Sequence, residues 1–132
     1  MSTLWVIGDS TVSSFEDKYY YPRYGYGTML DKYLDDSINV VNIALSGRST
    51  KSYTTGPQYN ELLSGMKQGD FLIIGFGHND EKADEGRYTN PNGNYLTEGS
   101  FANSLYVNYV KPAQEKGVTV VLFHIVFPVH VQ

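Results

Sequence analysis

The feature that most limits the fold is a set of four apolar runs, Leu4 to Ile7, Val40 to Ala44, Phe71 to Phe76 and Val118 to Phe127, each nearly continuous and rich in β-branched residues. A strand with one wet face alternates apolar and polar positions, whereas a strand covered on both faces does not need to. The four runs therefore predict buried strands of a parallel sheet. The segments between them read as helices. Gly27 to Leu34 carries Met29, Leu30, Tyr33 and Leu34 on one side. Thr55-Gly56-Pro57 is a helix start, because proline at the first helical position gives up an N–H that has no partner there, and Leu62, Leu63 and Met66 follow on one face. A third helix begins near Thr97 to Ser100, carries Phe101, Leu105 and Tyr109, and ends at Gly117; Pro112 should kink it or mark its last turn. Strands and helices alternating at this spacing give right-handed βαβ units and a three-layer α/β/α sandwich.

A chain of 132 residues holds one domain, and 41% apolar residues can fill its core. Ten Lys and Arg against fourteen Asp and Glu leave a formal charge of −4, with no basic block to displace counterions from a nucleic acid. DNA and RNA are not expected partners. With no Cys, disulfides, thiolate metal sites and a cysteine nucleophile are excluded together. No apolar run approaches the length of a membrane span, so no membrane partner is expected. No basic segment or small-residue cleavage site precedes Leu4, so no secretory signal is read here, and a mature form trimmed of its signal would look the same.

Each of the first three strands ends in a small, polar, glycine-bearing loop: Gly8-Asp9-Ser10-Thr11, Ser46-Gly47-Arg48-Ser49 and Gly75-Phe76-Gly77-His78-Asn79-Asp80. A parallel sheet delivers such loops to one edge, where ligands bind. A hydroxyl, glycine amides and a carboxamide gathered there suit acyl transfer: a Ser oxygen attacks a carbonyl, and the oxyanion that forms needs N–H donors held in place. The N–H of Ser10, the N–H of Gly47 and the side-chain amide of Asn79 are the candidate donors. Glycine at 47 lets the backbone come close to a ligand. The only long loop, Gly77 to about Thr97, is rich in Gly, Asn, Pro, Asp and Glu and leaves the same edge. The cluster Tyr19-Tyr20-Tyr21-Pro22-Arg23-Tyr24-Gly25-Tyr26 is either a surface loop packed on the domain or a substrate-lining wall.

Three blocks in order, Gly8-Asp9-Ser10, Gly47 within Asn-Ile-Ala-x-Ser-Gly-Arg-Ser, and Gly77-x-Asn79-Asp80, resemble the first three blocks of the SGNH (GDSL-type) hydrolases. The fuller contexts Gly8-Asp9-Ser10-Thr11-Val12 and Gly77-His78-Asn79-Asp80 are most similar to the rhamnogalacturonan acetylesterase branch. The resemblance covers the chain to about Leu122. It implies a flavodoxin-like sheet, Ser10 as nucleophile, and Gly47 and Asn79 completing an oxyanion hole with the Ser10 amide. It also implies an ester substrate such as an O-acetyl group on a sugar or pectin-like glycan, and no metal or cofactor. Asp9 reads as a loop hydrogen-bonding residue rather than a catalytic acid, and with His78 it is placed on the substrate-binding side. Asp80 should fix the Asn79 loop by accepting backbone N–H bonds.

The family pattern also supplies a general base from an Asp-x-x-His block after a further helix and strand. The 132 residues contain no such block. A Ser hydroxyl without a base is a weak nucleophile, so low activity of this chain alone is expected. Of the histidines, His78 is read as loop-shaping or substrate-contacting, His124 as a core or interface residue, and His130 as reaching only the site edge. The last ten residues also depart from the Thr-Pro-like turn of the family, as a truncation or shifted reading frame would produce. Without a fifth strand the run Val118 to Phe127 would be an exposed edge, and two chains are expected to associate through it or to exchange the tail Pro128 to Gln132. Arg48 is expected to form a structural ion pair. The run Asp80-Glu81-Lys82-Ala83-Asp84-Glu85 is read as a solvated loop rather than a metal site. The competing classes are a non-catalytic fragment that binds glycan or assembles with another chain, and a phosphate or flavin-phosphate binder, against which the charge of Asp9 argues.

Overall fold

The computed structural model of the chain describes residues 2–9, 38–77 and 79–122. Four parallel strands, β1 (Ser2–Gly8), β2 (Ile38–Asn42), β3 (Phe71–Gly75) and β4 (Thr119–Leu122), form one sheet in the order β2-β1-β3-β4. The register places Leu4 of β1 beside Val40 and Phe71, and Phe71 in turn beside Thr119. All four apolar runs thus supply a strand. The expected helix over 27–34, the aromatic cluster over 19–26 and the continuation of the fourth strand through 123–127 lie outside the described residues.

Side chains alternate across a strand, so the central β1 feeds two clusters. Trp5 and Ile7 join Leu62, Met66, Leu72, Ile74, Tyr109 and Val118 in the larger core, and Leu4 and Val6 pack with Val40 and Ile73 on the opposite face. This double burial is why β1 carries no polar alternation. The larger core is roofed by α1 (Pro57–Gly65) and by a second helical run composed of α2 (Phe101–Leu105), a π-helical turn (Tyr106–Val110) and α3 (Lys111–Glu115). Pro57 opens α1 as its sequence signal requires, after a 3₁₀ turn over Ser52–Thr55 that the sequence pattern does not announce. Ser100 caps α2, its Oγ accepting the Asn103 N–H at 3.0 Å.

Of the two expectations for Pro112, a kink or the last turn, the second holds, since Pro112 lies in the closing segment α3, and a π turn precedes it. Proline has no N–H, so in α register the carbonyl of Asn108 would lose its partner. The chain instead widens into the π turn, where the Lys111 N–H reaches Tyr106. The Asn108 carbonyl accepts the Tyr59 hydroxyl from α1 at 2.8 Å, which ties the two roofing helices together.

At the other end of the sheet, Asp70 holds three elements. Its Oδ1 accepts the Thr3 N–H at 3.0 Å, and its Oδ2 accepts the Trp5 indole N–H and the Lys67 N–H, each at 3.1 Å. The side chain is 1% exposed. Burial pushes its pKa up, but the three hydrogen bonds and the charge of Lys67 outweigh that and hold it below the ordinary 3.8. Asp70→Asn offers one acceptor oxygen to three donors and turns its own N–H₂ toward one of them. It is expected to cost about 1–3 kcal/mol at neutral pH. Because the folded carboxyl is the stronger acid, its contribution is complete above the unfolded pKa and is lost as pH falls through 3.8 toward the folded value. Urea titrations across this range should show an acid-induced loss in the wild type that is smaller in Asp70→Asn.

Candidate active site

The carboxyl ends of β1, β2 and β3 form one rim. The parallel ladder runs to its edge, since the Leu45 N–H donates to the Gly8 carbonyl at 2.9 Å and the Asp9 N–H to the Gly75 carbonyl at 3.1 Å. The described starts of the three glycine-bearing loops, at Asp9, Leu45 and Phe76, therefore lie side by side, which is the arrangement that the strand pattern predicts. Ser10, the candidate nucleophile, and His78 lie outside the described residues, as do His124 and His130. Asp9, directly before Ser10, is 1% exposed at the end of β1.

Gly47 lies in an exposed turn with φ of +80°, in the left-handed region that favours glycine. A Cβ built there would meet nothing within 4 Å among the described residues, so the backbone conformation rather than crowding by them favours the glycine. Asn79 is 5% exposed on the loop that follows β3. Arg48 is exposed and forms no ion pair with any described residue, so the structural pair expected for it is not found among them.

Asp80 joins the second and third loops. Its Oδ1 accepts the Thr50 N–H at 2.9 Å, and its Oδ2 accepts the Thr50 hydroxyl at 2.5 Å and the Thr89 hydroxyl at 2.7 Å. The backbone carbonyl of Asp80 also accepts the Thr89 N–H at 3.1 Å. The expectation that Asp80 orders its loop through backbone N–H bonds therefore covers part of its work, because two threonine hydroxyls do the rest. Burial raises the Asp80 pKa more than these bonds lower it, and the nearby charge of Asp9 adds to the rise. After Asp80 the run turns outward, with 81–85 exposed, and no group of His, Asp or Glu suited to a metal ion occurs among the described residues. The reading of this run as a solvated loop holds for the exposed residues 81–85 and fails at Asp80, which is buried because Thr50 and Thr89 bind its carboxylate.

Beneath the rim lies an aromatic cluster that the sequence pattern identifies only as an apolar stripe. Tyr53 and Phe76 meet edge-on with centroids 5.3 Å apart, and Phe76 and Tyr109 lie 5.4 Å apart. The Tyr109 hydroxyl donates to the Thr50 carbonyl and the Tyr53 hydroxyl to the Ile43 carbonyl, both at 2.6 Å. Burial pushes both phenols far above their ordinary range, so they remain protonated donors. Thr50 and Thr89 are the positioning residues that sequence reasoning misses. Their signal is weak, a lone hydroxyl in a polar loop, because the acid that they serve is remote along the chain.

A mostly apolar cavity of about 440 Å³ opens beside Gly77 and is lined by Asp80, Glu81, Tyr88, Thr89, Pro91 and Phe101. A smaller one of about 190 Å³ lies on the other side of Tyr88 and Thr89, toward Lys51 and Asn103.

A parallel α/β sheet whose first three strands end in these loops defines the class. A family model described as GDSL-like lipase/acylhydrolase matches residues 4–98, and the chain belongs to that family of carboxylic ester hydrolases. Two curated relatives carry the name rhamnogalacturonan acetylesterase, one of them as a probable one. The chain is 32% identical over 115 residues to a probable rhamnogalacturonan acetylesterase, YesY, of Bacillus subtilis, covering 86% of this chain and 49% of the relative. It is 33% identical over 129 residues to the rhamnogalacturonan acetylesterase RhgT of the same organism, covering 98% of this chain and again 49% of the relative. Among solved structures, protein YxiM of Bacillus subtilis superposes with a TM-score of 0.71 at 28% identity, covering 92% of this chain and 32% of that one. The chain thus spans about half the length of the curated relatives named here.

The Thr50–Asp80 bond is the joint of the site. Thr50→Val removes the hydroxyl and leaves a buried carboxylate one donor short, at an expected cost of about 1–3 kcal/mol. Since Asp80 is already a weaker acid than usual, the deficit should be larger at neutral pH than well below the ordinary 3.8, where the group is protonated in both states. Denaturation at the two pH values measures this, and amide exchange at 49–51 should quicken in the variant.

Proposed function

We propose that the chain is the nucleophile-bearing part of a serine ester hydrolase that removes O-acetyl groups from a carbohydrate or pectin-like glycan through an acyl-enzyme on Ser10. The observation that supports this reading is the single rim where β1 ends at Asp9, directly before Ser10 in sequence, beside the Gly47 and Asn79 loops, which Asp80 clamps together. In the proposed reaction the Ser10 oxygen adds to the acetyl carbonyl. The oxyanion is received by the N–H groups of Ser10 and Gly47 and by the Asn79 amide, the sugar alcohol leaves, and water then releases acetate. Donors fixed beforehand need not reorganise as charge develops, which is where most of the rate gain of such sites arises. Asp9 and His78 are proposed to order and contact the substrate side. The acetylesterase names of the relatives support the acyl group and the glycan.

The reaction also needs a group to take the Ser10 proton, and no Asp-x-x-His block is present among the 132 residues. An acetyl adduct on Ser10 is therefore a more direct test than turnover. With 4-nitrophenyl acetate and added imidazole as a surrogate base, mass spectrometry should find acetylated Ser10, and Ser10→Ala should lack both the adduct and any nitrophenol release in excess of the same imidazole solution without protein. Asn79→Ala should slow acylation by about 10²–10³-fold. A wild-type chain that stays unmodified and releases nitrophenol at the buffer rate overturns the reading for this chain.

A second reading, association with another chain, is favoured by β4. Among the described strands it pairs only with β3, and Val121 and Leu122 are 47% and 58% exposed. We propose that two copies associate along this edge. Light scattering should show a concentration-dependent rise toward twice the chain mass, lowered by Val121→Lys; a constant monomer mass at high concentration would contradict it.

A further inference from the structure

We propose that Asn92 is a site of self-modification, where the folded chain deamidates through a cyclic imide formed with the nitrogen of Gly93, and that the fold confines this reaction to Asn92. The proposal is independent of the esterase reading. The reaction needs a carboxamide that is free to turn, a following main-chain N–H that is not engaged, and no side chain crowding that nitrogen. Nine asparagines occur in the chain, and the structure denies at least one of these conditions, or access to water, to eight of them.

Asn60, Asn103 and Asn108 lie in helical turns, where the next N–H is spent on the helix; that of Ser104 donates to the Ser100 carbonyl at 3.0 Å. Asn39 and Asn42 precede Val40 and Ile43, whose branched side chains crowd the nitrogen. Asn79 is buried. Asn90 precedes Pro91, which has no N–H to offer. The Asn94 carboxamide is held, its Oδ1 accepting the Leu96 N–H at 2.9 Å and the Thr97 hydroxyl at 3.3 Å.

Asn92 meets every condition. It lies exposed in a bend outside the helices and strands, with its own N–H on the Asn90 Oδ1 at 2.9 Å. Its carboxamide and the Gly93 N–H make no hydrogen bond with the described residues. Gly93 has φ of +112°, and a Cβ built on it would lie 2.8 Å from the Thr97 Cγ2. The bend thus requires the residue that leaves its neighbour reactive. In the reaction the Gly93 nitrogen gives its proton to hydroxide and bonds to the Asn92 Cγ. The carboxamide C–N bond breaks, and its nitrogen leaves as ammonia with a proton from water. A second water opens the imide at either carbonyl, giving aspartate or isoaspartate, the latter with one more methylene in the main chain.

The surrounding bonds fence in that extra length. The Asn90 N–H donates to the Gly99 carbonyl at 2.9 Å, and the Asn90 carbonyl accepts the Phe101 N–H at 2.8 Å. The Asn94 carbonyl accepts the Thr97 N–H and the Ser100 hydroxyl, each at 2.9 Å. The folded chain can therefore carry the change within 91–93 with α2 still capped.

The test is ageing of the folded chain in mildly alkaline buffer, followed by peptide mapping with fragmentation. The mass at residue 92 should rise by about 1 Da, in aspartyl and isoaspartyl forms, at least about tenfold faster than at any other asparagine. An isoaspartyl-specific carboxyl methyltransferase should label the aged wild type and not aged Asn92→Gln, whose longer side chain closes an imide far more slowly. In urea the margin between Asn92 and Asn103 should narrow, because the helix no longer engages the Ser104 N–H. An unmodified Asn92, equal rates at other asparagines in the folded chain, equal labelling of Asn92→Gln, or a margin over Asn103 as wide in urea as in the fold would overturn the proposal.

Discussion

The candidate site depends on one buried acid. Asp80 receives three donors from two segments that lie 30 and 9 residues away along the chain, and these bonds hold the Asn79 loop against the loop that follows Gly47. A carboxylate inside a protein is tolerated only when its lone pairs are taken up, and even then its net effect on stability is small or negative. The upward displacement of its pKa expresses that cost. What the fold gains is position. Asp80 fixes the loop that also carries Asn79, the residue proposed above as an oxyanion donor.

The aromatic layer beneath the rim carries this restraint into the core. Tyr53, Tyr59 and Tyr109 each bury a ring and spend the hydroxyl on a backbone carbonyl outside regular pairing, at Ile43, Asn108 and Thr50 respectively. Two of these carbonyls belong to the segment after β2, and the third is the one that Pro112 leaves without its α-helical partner. Phenylalanine would supply the same burial and leave those acceptors unsatisfied. The composition, with 12 Tyr and 6 Phe, is explained in part by this use of phenols as internal brackets.

Much of the architecture is legible in the chain because it is written in local patterns. Four apolar runs announce four strands, Gly56-Pro57 announces α1, and Ser100 announces the helix that it caps. The rim follows, since parallel strands put their carboxyl ends together. What is not legible depends on partners distant in sequence. Nothing local marks Thr50 as the donor to Asp80, or Trp5 as the donor to Asp70. Pro112 predicts a disturbance but not its form, and nothing local shows that the Asn108 carbonyl finds the Tyr59 hydroxyl 49 residues away. The candidate nucleophile Ser10 is legible as a motif, and its own placement lies outside the described residues.

The pairing of Asp80 with Thr89 through both side chain and backbone closes the intervening stretch into a tethered excursion whose two ends are fixed to each other. Residues between Lys82 and Gly86 are exposed, and lengthening such a closed loop adds entropy cost only logarithmically. The protein therefore carries a built-in port where a reporter peptide or affinity handle can be spliced in with both anchors still engaged.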